Sequence, residues 1–253
     1  MCYDIKASLE AQLKRAKIKG NIGAIEEIEE RLAPLTDLPL YHVSGFKHPE
    51  MLIYIDEQPE FPVVATWGLI PHWVKDEEQQ KQIWNNTLNA RGETIFDKPS
   101  FRYAAENNRC IIYVDGFYEH HHYNNRAYPF FIQRKNELPM ALAGLWSEWH
   151  NPSGGRFNSF TIVTTEGNSL MAKIHNNPKL KGPRMPLILP DEIEDEWLQP
   201  LNDELDRQSI TDLILSYPEE ELKAHPVSRL RGKDYLGNVE TISDEVKYDD
   251  LIF

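Results

Sequence analysis

Arg109-Cys110-Ile111-Ile112-Tyr113-Val114-Asp115-Gly116-Phe117-Tyr118-Glu119 is the stretch on which the fold turns. Cys110–Val114 reads as a buried strand, ending in an Asp-Gly turn. The chain then delivers two aromatics and a carboxylate. Runs of the same kind, rich in Ile, Val, Phe and Tyr and bounded by Pro, Gly, Asn or Asp, lie at Met51–Ile55, Pro62–Trp67, Pro129–Gln133, Ala141–Leu145, Phe160–Thr164 and Pro186–Leu189. Helical spacing marks residues 8–33, interrupted at Gly20–Gly23, then Asp76–Leu88, Glu166–Ile174 and intermittently Glu192–Ser216. Successive strands with a few interposed helices predict an α+β fold, with a mainly antiparallel, barrel-like β-sheet core and flanking helices. Residues 1–237 read as a single domain and 238–253 as an acidic C-terminal tail.

The chain has 253 residues and a net charge of -13, which argues against general polyanion binding but allows a local basic groove. The acidic runs Glu192–Glu196 and Glu219–Glu221 read as solvated surface. With two cysteines, no disulfide framework is indicated. Without an apolar run of membrane-spanning length or a basic-then-apolar leader, a cytoplasmic, bacterial monomer is expected, with no membrane partner. Cys110 reads as a buried, inert thiol. His120-His121-His122 does not read as a metal site, because neighbours on a strand point to opposite faces. No metal and no cofactor are expected.

Position 2 carries separate chemistry. If Met1 is trimmed, Cys2 presents an α-amine of pKa about 7.7–8.0 beside a thiol of about 8.5. An aldehyde can form a Schiff base with the amine, and the thiol can then close a thiazolidine ring. Alone, Cys2 is more readily an accident of the start. Trp67, in Trp67-Gly68-Leu69-Ile70-Pro71 with Trp73 following, suits stacking on a base or filling the core equally well. In Asn89-Ala90-Arg91-Gly92-Glu93-Thr94, Arg91 offers a fork for phosphate and Asn89 an amide to hold a small polar group; a helix end running into a turn fits the same residues. Glu119 is either a surface carboxylate at a strand end or a proton shuttle whose pKa the flanking aromatics raise. His175 is a natural acid–base group, though a lone His is more often structural, and Arg184 could take a second phosphate.

In this order, together with Pro99-Ser100-Phe101-Arg102, Ala143-Gly144-Leu145-Trp146 and Phe160 to Thr165, these segments resemble the SRAP family, the SOS-response-associated peptidases. That family includes abasic-site-processing proteins that crosslink to single-stranded DNA. The resemblance runs from Met1-Cys2 to about residue 230 and implies a domain of the SRAP kind. It implies a lyase-type DNA–protein crosslinking activity in the DNA damage response, with single-stranded DNA containing abasic sites as partner and the protein at the nucleoid when bound. It makes Cys2 the nucleophile and places Asn89 beside the adduct. Glu119 and His175 become the proton carriers, Arg91 and Arg184 the phosphate ligands, and Trp67 a stacking ring. Arg91, Arg102, Arg109 and Arg184 would form the basic groove. The chain departs from the family pattern at Tyr3 and Asp4, where Gly and Arg are usual, at His120, where Trp is usual, and in the loop Asn176–Pro183, which is longer. Two other readings remain open at this point. One is a thiol-dependent peptidase using Cys2, for which no oxyanion hole is visible; the other is a non-covalent single-stranded DNA-binding protein.

Overall fold

The structure, a computed structural model, describes residues 3–150 and 154–253. The strands are β1 (Asp4–Ala7), β2 (Leu40–Ser44), β3 (Glu50–Ile55), β4 (Gln58–Trp67), β5 (Asn89–Arg91), β6 (Arg109–Val114), β7 (Gly116–Tyr123), β8 (Arg126–Arg134), β9 (Met140–His150), β10 (Arg156–Glu166), β11 (Arg184–Pro186), β12 (Ile188–Leu189) and β13 (Leu222–Pro226). The helices are α1 (Leu9–Ile18), α2 (Ile22–Glu27), α3 (Glu77–Ile83), α4 (Arg102–Asn107), α5 (Ser169–Ile174) and α6 (Glu204–Asp212).

β4, β3, β6, β9 and β10 pair in that order, and β10 pairs back onto β4, so the larger sheet closes on itself. That last pairing is parallel, as is the one between β10 and β5; the other ladders of this sheet are antiparallel. The second sheet is antiparallel, in the order β13-β8-β7-β1-β2. The expected barrel-like α+β architecture is therefore present.

The stretch 109–119 links the two sheets, since β6 belongs to the barrel and β7 to the second sheet. Cys110, Ile112 and Val114 point into one apolar cluster, Ile111 and Tyr113 into another. A strand buried on both faces explains why its sequence runs apolar without alternating. The second cluster is completed by Leu13 and Ala16 of α1 and Ala24 of α2.

At the corner, Asp115 accepts from the Ser8 N–H at 2.5 Å and the Ser8 hydroxyl at 2.8 Å. Ser8 also caps α1 by accepting from the Ala11 N–H at 3.1 Å. Gly116 is required for close approach, because a Cβ there would lie 2.4 Å from the Ile132 carbonyl oxygen and 2.6 Å from the Phe131 ring. Gly116→Ala is expected to cost about 2–3 kcal/mol, as a backbone atom must move to admit one methyl. A thermal melt checks this, and an unchanged midpoint would refute it.

One surface expectation is corrected. Of the acidic run, Glu194 is buried, accepts from the Tyr113 hydroxyl at 2.7 Å and lies 3.4 Å from Arg15. Asp195 pairs with Arg15 at 2.6 Å and Lys19 at 2.5 Å. This run clips α1 to the barrel, because α1 buries cations that need partners. Residues 238–253 lie against the domain: Ile242 is fully buried, Tyr248 donates to the Val227 carbonyl at 2.7 Å, and Phe253 packs on Phe130 with ring centroids 4.5 Å apart. Among the described residues, no helix is long and apolar enough to cross a membrane.

Candidate active site

β7 carries Glu119 to the edge of a cleft of about 420 Å³ that His120, His122, His175, Leu180, Arg229 and Arg231 help to line. His175 enters from the end of α5, whose start is fixed by Asn168, accepting from the Met171 N–H at 2.9 Å. Asn176 then ties the chain to β7. Its Oδ1 accepts from the His122 N–H at 2.7 Å, and its Nδ2 donates to the His122 carbonyl at 3.0 Å. These contacts set His175 Nε2 3.8 Å from Glu119 Oε2. That is longer than a hydrogen bond but close enough for both groups to reach one oxygen of a bound molecule.

The Arg184 N–H donates to His175 Nδ1 at 2.9 Å. An imidazole that accepts at Nδ1 carries its proton on Nε2, the nitrogen facing Glu119. Burial lowers the His175 pKa to about 4, so the ring is neutral around pH 7. Burial pushes the Glu119 carboxyl upward; the His120 N–H, donating to it at 2.9 Å, opposes that push. The site thus pairs a neutral donor with a carboxyl tuned toward proton exchange.

A second cleft, of about 390 Å³, lies across His175 and Leu180, which line both. Arg91, Lys181 and Arg184 line it, so an acidic chain gathers cations here. Arg184 is less available than its sequence position suggests. Its guanidinium forks onto Glu93 at 2.5 and 2.9 Å and donates to the Thr164 carbonyl at 2.8 Å. Burial would raise the Glu93 carboxyl, but Arg184 outweighs it and holds the group below its ordinary range. Arg91 is exposed. Asn89 stands two residues before it on β5, on the same face of the strand. The longer loop Asn176–Pro183 forms the wall between the clefts, through Leu180.

Not every expected residue joins the site. Trp67 is fully buried, donates to the Leu88 carbonyl at 2.8 Å and stacks on Phe160. It fills the core and has no face to offer a nucleotide. Arg109 is likewise removed from the basic groove. It is 1% exposed, and its guanidinium donates to the carbonyls of Trp197 at 2.9 Å, of Ala105 at 2.6 Å and of Gln199. Arg102 is exposed at the start of α4 and lines neither cleft. Cys2 lies outside the described residues. Cys110 is buried, which pushes its thiol well up. His120 and His122 face the first cleft, whereas His121 turns away and lies 2.8 Å from the Lys173 carbonyl. Among the described residues, no group of three or more His, Cys, Asp or Glu is placed to hold a metal. Asn176, Arg229 and Arg231 were not foreseen. The cation–apolar–cation alternation Arg229-Leu230-Arg231, with Leu230 buried, was the available signal.

This fold and site define an SRAP protein: the family model described as SOS response associated peptidase (SRAP) matches residues 6–233, and the chain belongs to that family. It is 41% identical over 165 residues to the abasic site processing protein YoqW of Bacillus subtilis, covering 65% of this chain and 68% of that one. It is 30% identical to the abasic site processing protein HMCES of Rattus norvegicus, over 64% of this chain and 50% of that one. A crystal structure of a protein from Bacteroides thetaiotaomicron superposes with a TM-score of 0.80 at 32% identity, covering 97% of this chain and 100% of that one.

Proposed function

We propose that this protein processes abasic sites in single-stranded DNA by capturing them covalently on Cys2. The observation that carries the reading is the Glu119–His175 pair at the junction of two cation-lined clefts. The beginning of the chain supports it. Asp4 pairs opposite Tyr118, the residue before Glu119, so the described chain starts beside that carboxylate. The names of the relatives point the same way.

In the closed sugar of an abasic site, Glu119 takes the proton of the anomeric hydroxyl and returns one to the ring oxygen. The ring C–O bond breaks and a free aldehyde forms. His175 Nε2–H steadies the developing oxygen charge as a neutral donor. With Met1 removed, the Cys2 amine adds to the aldehyde carbon. Water leaves through a proton from Glu119, giving an imine. The thiol sulfur then adds to the imine carbon, and its proton passes to nitrogen. One water is released overall and a thiazolidine remains. Arg91 binds a flanking phosphate, and Arg184 does so by exchanging Glu93 for it. Asn89 holds the sugar oxygen. Holding amine, thiol and aldehyde together makes the capture intramolecular, for which effective molarities reach ~10⁵ M or more.

The test is denaturing electrophoresis with intact mass spectrometry. Protein lacking Met1 is mixed with a single-stranded oligonucleotide carrying one abasic site, beside an undamaged strand. A heat-stable band with the mass of protein plus DNA minus one water is expected only with the lesion. No such band from protein confirmed to begin at Cys2 would exclude covalent capture and leave plain DNA binding or peptide cleavage.

A further inference from the structure

The first cleft carries a cation that the chemistry above does not use. Arg231 lines it with its side chain 62% exposed. One guanidinium nitrogen donates to Asp4 Oδ2 at 2.9 Å. Asp4 is itself 3% exposed, and its other oxygen lies 3.1 Å from His42 Nε2. His42 Nδ1 in turn lies 2.8 Å from the Tyr235 hydroxyl. The row Tyr235–His42–Asp4–Arg231 thus runs from the outer face of the second sheet to the cleft mouth and ends on an arginine. Burial would raise the Asp4 carboxyl, but the His42 hydrogen bond and the Arg231 charge outweigh it and hold it ionised.

Such a row restrains a long side chain that would otherwise sample many rotamers, so less entropy is lost when the arginine grips an anion. The anchor also fixes where the charge stands. Asp4 is on β1, one ladder position from Glu119 across to β7, so Arg231 is set on the Glu119 side of His175. Arg91 and Lys181 stand on the other side, in the second cleft. Arg229 contributes less freedom: its guanidinium lies 5.3 Å from the ring centres of both Tyr128 and Tyr248 and donates to the Ala127 carbonyl.

We infer that Arg231, held by the buried Asp4 and His42, forms a second phosphodiester subsite across His175 from Arg91. A strand in the site is therefore gripped on both sides of the reacting sugar. The inference rests on the DNA reading above, and it assigns Asp4 as a positioning residue.

The test is the salt dependence of binding to an undamaged single-stranded oligonucleotide, measured by fluorescence anisotropy with full-length protein. Arg231→Gln retains a donor for Asp4 but removes the charge. It is expected to weaken binding about threefold to tenfold near 0.1 M salt and to reduce the slope of log K against log salt by about 0.7, one single-stranded phosphate contact. Arg231→Lys should return the slope to the wild-type value. A thermal melt run beside each variant separates folding from binding. If Arg231→Gln is folded and binds with wild-type affinity and slope, the subsite is wrong. If Arg231→Gln does not fold, Arg231→Met decides by the same readout: a slope reduced by about 0.7 supports the subsite, and a wild-type slope overturns it. Wild-type protein that binds no single-stranded DNA would overturn the DNA reading itself, which is a different outcome.

Discussion

Cys2→Ser is expected to abolish the heat-stable DNA adduct while changing non-covalent affinity for single-stranded DNA by no more than about twofold. Serine keeps the amine and the shape of the side chain. It loses the thiol, which near neutrality is partly thiolate and therefore nucleophilic. The amine can still form an imine with the aldehyde, but nothing closes on it. The imine then persists long enough to promote β-elimination, so Cys2→Ala and Cys2→Ser should both release more cleaved strand than wild type. The gel described above reads both outcomes in one lane. Durable crosslinking by either variant would show that the amine alone suffices and would remove the ring-closing role of the thiol.

The second large effect is expected at Glu119. Glu119→Gln keeps the size and the acceptor for the His120 N–H but cannot exchange a proton. Positioned acid–base groups contribute about 10²–10⁴-fold, so the crosslinking rate should fall by at least about 10². Its pH dependence should flatten, because burial places the wild-type carboxyl above its ordinary range. The same substitution has a signed effect on stability. A carboxyl whose folded pKa is raised favours the fold below its unfolded pKa of about 4.3, and this contribution is lost as pH rises through the folded value. Glu119→Gln should therefore melt higher than wild type at neutral pH, with the gap closing in acid. His175 works in the opposite sense. Its folded pKa of about 4 lies below the ordinary 6.5, so its contribution is present above about 6.5 and is lost as pH falls toward 4. Melts of Glu119→Gln and wild type across pH 4–8 check the sign. A gap that widened in acid would mean that Glu119 is not destabilised by burial.

Much of the architecture was legible because the barrel strands are long and apolar. Met51–Ile55, Pro62–Trp67, Cys110–Val114 and Phe160–Thr164 all fall inside observed strands. The helical interruption at Gly20–Gly23 falls where α1 gives way to α2. What escaped were strands defined by their neighbours. β1 is four residues, Asp-Ile-Lys-Ala, and β5 three, Asn-Ala-Arg; each exists because ladders on flanking strands satisfy its backbone. β7 was hidden by its polar residues, since Glu119 and three histidines interrupt its apolar pattern.

At the site, residue type picked out Glu119, His175 and Arg91 as candidates, which line two adjoining clefts, but could not distinguish an available arginine from a structural one. Arg109 and Arg184 look alike in sequence. One is buried among main-chain carbonyls and the other sits in a cleft wall on Glu93. Burial of Arg109 depends on acceptors from Trp197 and Gln199, far along the chain, and no local pattern encodes that. Asn176 was invisible for a similar reason, as its value lies in matching the backbone of β7.

The hydrogen bond that fixes the His175 tautomer comes from the main chain of Arg184. Every side-chain replacement at position 184 except proline leaves that donor in place. The guanidinium contact with Glu93 and the tautomer of His175 are therefore separable by substitution although one residue carries both. A lineage could change the side chain at 184 without retuning the imidazole, and only proline would alter both at once.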